Sequence, residues 1–220
     1  MKVKFDKERK IVVEAGKEML EKKLTVGTWG NISLRTFDKD KCVITPSGMN
    51  YQKMNPEDMV VIDLDGNVVE GKWKPSSELE MHCEIYKTRK DVNAIVHTHP
   101  VFSSVLAVLK EDLPPIIEDM VMLLGGEVEV TEYTLPGTKE LAEKAVNALG
   151  DKNAVLLANH GAVCVGSDMK RTLTACKVLE KSAQIYVYSK MIGQPTLLSP
   201  DDVKKLREAS MGYLKLWEQK

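Results

Sequence analysis

The 220-residue chain has four histidines, His82, His97, His99 and His160, and they are unevenly placed. His97 and His99 alternate at the end of an apolar run, Ala94 to His99, that stops at Pro100. Alternate side chains on a strand project from one face, so two imidazoles would stand together at the strand's C-terminal end. Neutral imidazole nitrogens are common ligands of zinc and related ions, and catalytic sites use about three protein ligands and keep a position open. His160 ends a second apolar run, Ala154 to Ala158, within Asn159-His160-Gly161, where a neighbouring sheet position would meet the first pair. Glu78 is the candidate carboxylate for the set. His82, one helical turn beyond Glu78, offers a further Glu–His pair. The spacing also accommodates a surface pair or a hydrogen-bonded core pair of imidazoles.

Three other segments have the chemistry of an anion cradle. Ser76-Ser77 stand where a helix is expected to begin, and free N–H groups and the macrodipole at a helix N-terminus favour an anion. The loop Gly27-Thr28-Trp29-Gly30-Asn31 offers close backbone approach and an amide side chain. Ser47-Gly48 adds a hydroxyl and an N–H in a tight turn. The same residue types also serve as ordinary caps and turn formers. There is no Walker A sequence and no G-x-G-x-x-G opening a helix after a strand, which argues against a nucleotide.

The elements that must position these groups follow from periodicity. Ile11, Ala15 and Met19, widened by Val12, Leu20 and Leu24, predict a helix over Asp6–Leu24 that Gly27 stops. Strands are expected at Ile32–Arg35 and Cys42–Thr45. Val60–Leu64 and Val68–Glu70 flank Asp65-Gly66-Asn67, a hairpin signal. Pro75 should lead into a helix over Ser76–Arg89, capped through the Ser77/Glu80 box or by Ser76. After the strand Ala94–His99 come a helix from Pro100 to about Lys110, a strand at Val128–Val130 and a helix at Thr138–Leu149. Ala154–Ala158 and Ala162–Val165 read as strands. Ser167-Asp168 should cap a long helix to about Met191, and Ser199-Pro200 a last one to about Trp217. Irregular alternation with hairpins favours an α/β layered domain built on a mixed sheet.

Hydrophobic residues make up 43% and charged residues 29%, and 31 Lys+Arg against 32 Asp+Glu leave a net charge of −1. That balance lacks the basic field of a nucleic-acid or membrane-surface binder. The first residues lead into no apolar signal segment, and Met120–Leu124 and Ala154–Ala158 are strand-length rather than membrane-length. Cys42, Cys83, Cys164 and Cys176 are scattered with no C-x-x-C, which fits free, buried thiols in a cytoplasmic protein.

Taken together, Gly27-Thr28-Trp29-Gly30-Asn31-Ile32-Ser33, Ile44-Thr45-Pro46-Ser47-Gly48, Ser76-Ser77-Glu78, His97-Thr98-His99 and Asn159-His160-Gly161 occur in the order and at the intervals of the class II aldolase/adducin family. The chain resembles that family from its first helix to its last, most of all the members that cleave L-fuculose 1-phosphate. The resemblance implies one domain over residues 1–220: a three-layer αβα fold around a mixed, mostly antiparallel sheet, assembled as a homotetramer with active sites between subunits. It implies that His97, His99, His160 and Glu78 hold a divalent cation, Zn2+ or alternatively Mn2+. By the same likeness Gly30, Asn31, Ser47, Gly48, Ser76 and Ser77 bind a phosphorylated ketose. Glu78 then serves as acid and base while the cation stabilises an enediolate, and the products are dihydroxyacetone phosphate and an aldehyde.

Asp119 departs from the pattern, standing where the fuculose-phosphate enzymes have a tyrosine that handles the aldehyde-side proton. An acidic residue there is similar to ribulose-phosphate 4-epimerases, although Glu78 matches the aldolases. Tyr213 matches a C-terminal tyrosine that reaches a neighbouring subunit's site, and it also fits the packing stripe of the last helix. Epimerisation, dehydration of methylthioribulose 1-phosphate and a non-catalytic adducin-like interaction domain are the alternative readings. Intact His97, His99, His160 and Glu78 argue against the last.

Overall fold

Seven strands form one sheet in the order β4-β3-β2-β1-β5-β7-β6: β1 Asn31–Arg35, β2 Lys41–Ile44, β3 Val60–Asp63, β4 Val68–Glu70, β5 Ala94–Thr98, β6 Ala154–Leu157 and β7 Gly161–Gly166. The computed structural model describes residues 4–217, and of residues 211 and 213–217 only the backbone. All six ladders are antiparallel, and the parallel element is a single bridge from Val130 to Leu156. The segment expected as a strand at Val128–Val130 is therefore two isolated bridges. Val128 faces Leu113 while Val130 meets β6, so no partner runs alongside for more than one residue.

Helices cover both faces, as the αβα expectation requires. On one side α1 Asp6–Glu21, α3 Val101–Leu109, α4 Glu118–Leu124 and α6 Met169–Ile192 bury Val12, Met19, Leu106, Met120, Leu124 and Leu179 against Ile32, Val43, Val96 and Ala162. On the other, α2 Leu79–Thr88 and α5 Lys139–Leu149 bury Met81, Ile85, Leu141 and Leu149 against Ile44, Ile62, Ile95 and Val163. Each such side chain contributes about 1.5–3 kcal/mol when fully buried. Strands buried on both faces read as continuous apolar runs rather than alternations, as Ala154–Leu157 and Ala94–Val96 do. Met120–Leu124, a run of strand length, lies instead in α4, which Gly125 terminates in a left-handed conformation.

Local signals account for several helix starts. Thr138 accepts from the Leu141 N–H (3.2 Å) and Asp168 from the Arg171 N–H (2.8 Å). Ser199 accepts from the Asp202 N–H (3.2 Å), opening α7, Pro200–Trp217. The helix after Pro75 starts later than expected. The Ser76 N–H is committed to the Thr45 carbonyl (3.1 Å) and Pro75 bridges Pro46, so the chain does not coil until Leu79. The Ser77/Glu80 capping box does not form, and Glu78 occupies the N-cap position without capping. All four cysteines are free and buried. Among the described residues no helix is long and apolar enough to cross a membrane.

Candidate metal and active site

The pleat of the sheet selects which side chains meet. Asn31 and Ser33 of β1 pair with His97 and Ile95 of β5. The face that sends Ile95 into the α2/α5 core therefore also presents His97, Asn31 and Ser33 toward α2. His99 lies just beyond β5, its N–H bound to the Leu24 carbonyl (2.9 Å), and His160 lies in the turn between β6 and β7. The three imidazoles offer ligand atoms that all lie within 4.8 Å of one another. Their ring centroids are 4.7, 4.7 and 5.0 Å apart in edge-on pairs.

This geometry fits a cation. His97 Nδ1 is 2.9 Å from the Ala162 carbonyl, an acceptor, so Nδ1 carries the proton and Nε2 turns inward. There His97 Nε2 meets His99 Nε2 at 2.8 Å, a contact that needs a proton or a cation between the two nitrogens. Glu78 Oε2 lies 3.1 Å from His97 Nε2, and Glu78 Oε1 lies 3.5 Å from His160 Nε2. Oε1 is buried and, among the described residues, has no hydrogen-bond partner, and neither has His160 Nδ1. Three imidazoles and a carboxylate form a donor set suited to zinc and related divalent ions.

Electrostatics sets the protonation states of the cluster. Burial alone would raise the Glu78 pKa, but the charge and hydrogen bond of His97, with His160 and Asn31, outweigh it and hold Glu78 as a carboxylate far below the usual range. Burial opposes charge on His97 too, and the Glu78 carboxylate overcomes it and moves the ring upward. Burial and the neighbouring imidazoles push His99 down to about 3, and burial with His97 takes His160 to about 4, so both are neutral and able to ligate.

A cavity of about 350 Å³ opens beside the cluster, with Glu78, His99 and His160 in its lining. Gly30, Asn31, Ser47, Gly48, Ser76 and Ser77, the expected substrate-binding residues, all line it as well. Two backbone hydrogen bonds, which together make the Pro46–Pro75 bridge, tie the serine loops together: the Ser47 N–H donates to the Lys74 carbonyl (3.0 Å) and the Ser76 N–H to the Thr45 carbonyl (3.1 Å). Gly30 has φ +77°, and a Cβ there would lie 2.5 Å from the His97 carbonyl, so only glycine lets this loop close on β5. Among the described residues no lysine or arginine lines the cavity, and an anion there would be held by hydroxyls and N–H groups. Ser76 has another task as well: its hydroxyl accepts from the Glu78 N–H (3.2 Å) in the turn before α2.

Glu78, His97, His99 and His160 thus converge, together with the six loop residues. Asp119 does not join them in the same chain: it lies in the first turn of α4, half-exposed and paired with Lys181. Tyr213 falls on α7, with its side chain outside the described residues. His82 is not a ligand, because both its ring nitrogens are used in contacts to Ser33 and Asn31. Thr28 and Trp29 of the glycine-bracketed loop line the cavity too, as does Pro136, which carries no sequence signal, and Trp29 stacks on His99 (centroids 6.0 Å, 28°). Tyr51 is a buried support that sequence reasoning missed, its hydroxyl donating to the Gly30 carbonyl (2.6 Å).

Comparison with known proteins agrees with this geometry. Residues 10–187 match the family described as Class II Aldolase and Adducin N-terminal domain. The chain is 42% identical over 209 residues to a Bacillus thuringiensis protein named 5-deoxy-D-ribulose 1-phosphate aldolase, covering 95% of this chain and 98% of that one. It is 34% identical to the 5-methylthioribulose-1-phosphate/5-deoxyribulose-1-phosphate aldolase of Rhodospirillum rubrum, covering 92% and 90%. A solved structure of an L-fuculose 1-phosphate aldolase superposes with a TM-score of 0.90 at 38% identity, covering 95% of this chain and 97% of that one.

Proposed function

The chain belongs to the class II aldolase and adducin family, and from that premise we propose that it cleaves a ketose 1-phosphate reversibly to dihydroxyacetone phosphate and an aldehyde. It is a sugar-phosphate aldolase, a lyase. The observation that carries the reading is the position of Glu78, which contacts His97 and His160 and also lines the cavity to which Ser47, Ser76 and Ser77 contribute.

His97, His99, His160 and Glu78 would hold the divalent ion, which we take to be zinc. When bound, it supplies a Lewis acid for the negative charge that develops on the ketone fragment as the carbon–carbon bond breaks. The protein's own groups do the rest. Ser47, Ser76, Ser77 and the Gly30 and Gly48 loops anchor the phosphate and so fix the distant reacting carbons. The Glu78 carboxylate accepts the proton of the hydroxyl that becomes the aldehyde oxygen, then returns a proton to the carbon left on the ketone fragment. One proton leaves the substrate and one is restored, so the reaction is a simple cleavage. No amine nucleophile is needed.

The names of the relatives favour a 5-deoxypentulose 1-phosphate or L-fuculose 1-phosphate as substrate. Epimerisation and dehydration rested on Asp119, which is tied to Lys181 outside its own chain's cavity and lends them no support there. We take Asp119 and Tyr213 as residues offered to a neighbouring subunit in a cytoplasmic homotetramer. Exposed Val101, Val108, Leu109, Met191 and Ile192 supply apolar surface for such contacts. The deciding experiment is an assay of both sugar phosphates with the zinc-loaded protein, following dihydroxyacetone phosphate and aldehyde.

A further inference from the structure

The fourth histidine has no part in the cluster, yet it is fully buried and connected to it. His82 Nδ1 lies 2.6 Å from the Ser33 hydroxyl, and His82 Nε2 lies 2.5 Å from Asn31 Oδ1. The Asn31 amide donates through Nδ2 to Glu78 Oε2 (2.8 Å), and the Ser33 hydroxyl is also 2.9 Å from the Tyr86 hydroxyl. The arrangement has a simple geometric origin. His82 and Tyr86 stand one helical turn apart on α2, about 6 Å of rise, and Glu78 precedes His82 by the same four residues at the N-cap. Asn31 and Ser33 stand two residues apart on β1, about 6.8 Å. Helix and strand therefore keep pace along the contact.

We propose that His82 is a positioning residue for Glu78: as the Nε2–H tautomer it locks the Asn31 amide with its NH2 group toward the carboxylate. Each proton in the chain then has one consistent place. A carboxylate oxygen only accepts, so Asn31 must turn its NH2 to Glu78 and its carbonyl to His82. That carbonyl needs a donor, which puts the imidazole proton on Nε2. Nδ1 is then bare and accepts from the Ser33 hydroxyl, and Ser33 in turn accepts from the Tyr86 hydroxyl, which also lies 3.3 Å from the Asn93 carbonyl. Burial, the main influence on His82, lowers it to about 3 and keeps the ring neutral, as this pattern requires. With the proton on Nδ1 instead, two lone pairs would face each other across 2.5 Å. The Asn31 amide would then turn and set its oxygen against Glu78. Held as it is, Oε2 receives a hydrogen bond while Oε1 is left without one, beside His160. Asn31 also lines the cavity, so the same lock orients a group that faces the substrate.

This inference rests on the reading of Glu78 as ligand and acid–base group, and the test separates the two. Nitrogen-15 NMR of the wild-type chain reads the tautomer directly, without turnover and without a variant. Zinc affinity by chelator competition and the kcat/KM split are then compared for wild type, His82→Leu and His82→Gln. The glutamine amide can still reach Asn31 with an N–H; leucine cannot. We expect the Nε2–H tautomer, and in H82L a loss of about 10–100-fold in zinc affinity or kcat, with KM changing less. H82Q should recover most of that loss. An Nδ1–H tautomer would overturn the proposal. So would a folded H82L with unchanged zinc affinity and kcat, or an H82Q as impaired as H82L. If no sugar phosphate is cleaved at all, the functional reading fails while tautomer and zinc affinity still decide this one.

Discussion

Glu78 Oε2 lies 3.1 Å from His97 Nε2, and this contact joins the two halves of the site. His97 comes from β5 in the middle of the sheet, and Glu78 from the turn that launches α2. One carboxylate therefore reports to the imidazole cluster and to the cavity at once.

Glu78→Gln keeps the shape and removes the proton carrier. We expect kcat to fall about 10²–10⁴-fold, the usual worth of general acid–base catalysis, in a protein that remains folded. Steady-state kinetics with a circular dichroism control checks it. A variant with near-native kcat would remove Glu78 from the chemistry.

Stripping the metal should cost stability as well as activity. An ion held at about 100 times its dissociation constant stabilises the fold by about 2.7 kcal/mol. For a chain of this size that corresponds to a fall of about 5–10 °C in Tm on chelation, restored by added zinc. His160→Ala should lose the response. An unchanged Tm with and without chelator in the wild type would count against a built metal site.

Ser77 is assigned to the phosphate alone. Ser77 lines the cavity and is not a member of the histidine cluster. Losing one hydrogen bond to a charged group amounts to about 1.5–3 kcal/mol, so Ser77→Ala should raise KM for the phosphorylated substrate about 10–100-fold. Zinc content should not change. A fall in kcat at constant KM would place Ser77 in the chemical step instead.

His82 should leave a signature in the pH dependence of stability. It titrates near 6.5 when unfolded and, because it is buried, near 3 when folded. Between those values the unfolded chain holds a proton that the folded chain rejects. Stability contributed by the neutral ring is therefore complete above pH 6.5 and is lost as pH falls toward 3, on the order of 1 kcal/mol per pH unit. Urea denaturation of metal-free wild type and His82→Gln at pH 7, 6 and 5 isolates this component, since His99 and His160 are common to both. The wild type should lose more stability than the variant on acidification, and parallel curves would contradict a buried neutral His82.

Much of this site is legible in the sequence because strand alternation and short glycine–serine turns are local properties. His97-Thr98-His99 announces two rings on one face, and Ser47-Gly48 announces a turn with donors. What the sequence does not show is which non-local bonds override local preference. Ser76 and Ser77 look like a helix start, but the bridge between Pro46 and Pro75 commits the Ser76 N–H to the Thr45 carbonyl, and a turn through Ser77 leaves Glu78 at the N-cap. His82 reads as a surplus histidine until the sheet brings Asn31 and Ser33 beneath α2. Tyr51 gives no motif at all, since its role depends on a hydroxyl reaching a carbonyl 21 residues away. Asp119 carries a motif position, yet its side chain pairs with Lys181 on the surface of its own chain.

The most direct test of the central claim is product formation from 5-deoxyribulose 1-phosphate and L-fuculose 1-phosphate by the zinc-loaded protein. Stoichiometric dihydroxyacetone phosphate and aldehyde are expected from at least one of them, abolished by chelation and by Glu78→Gln. Bound metal with no aldehyde from either sugar, or an epimerised or dehydrated product in its place, would contradict it.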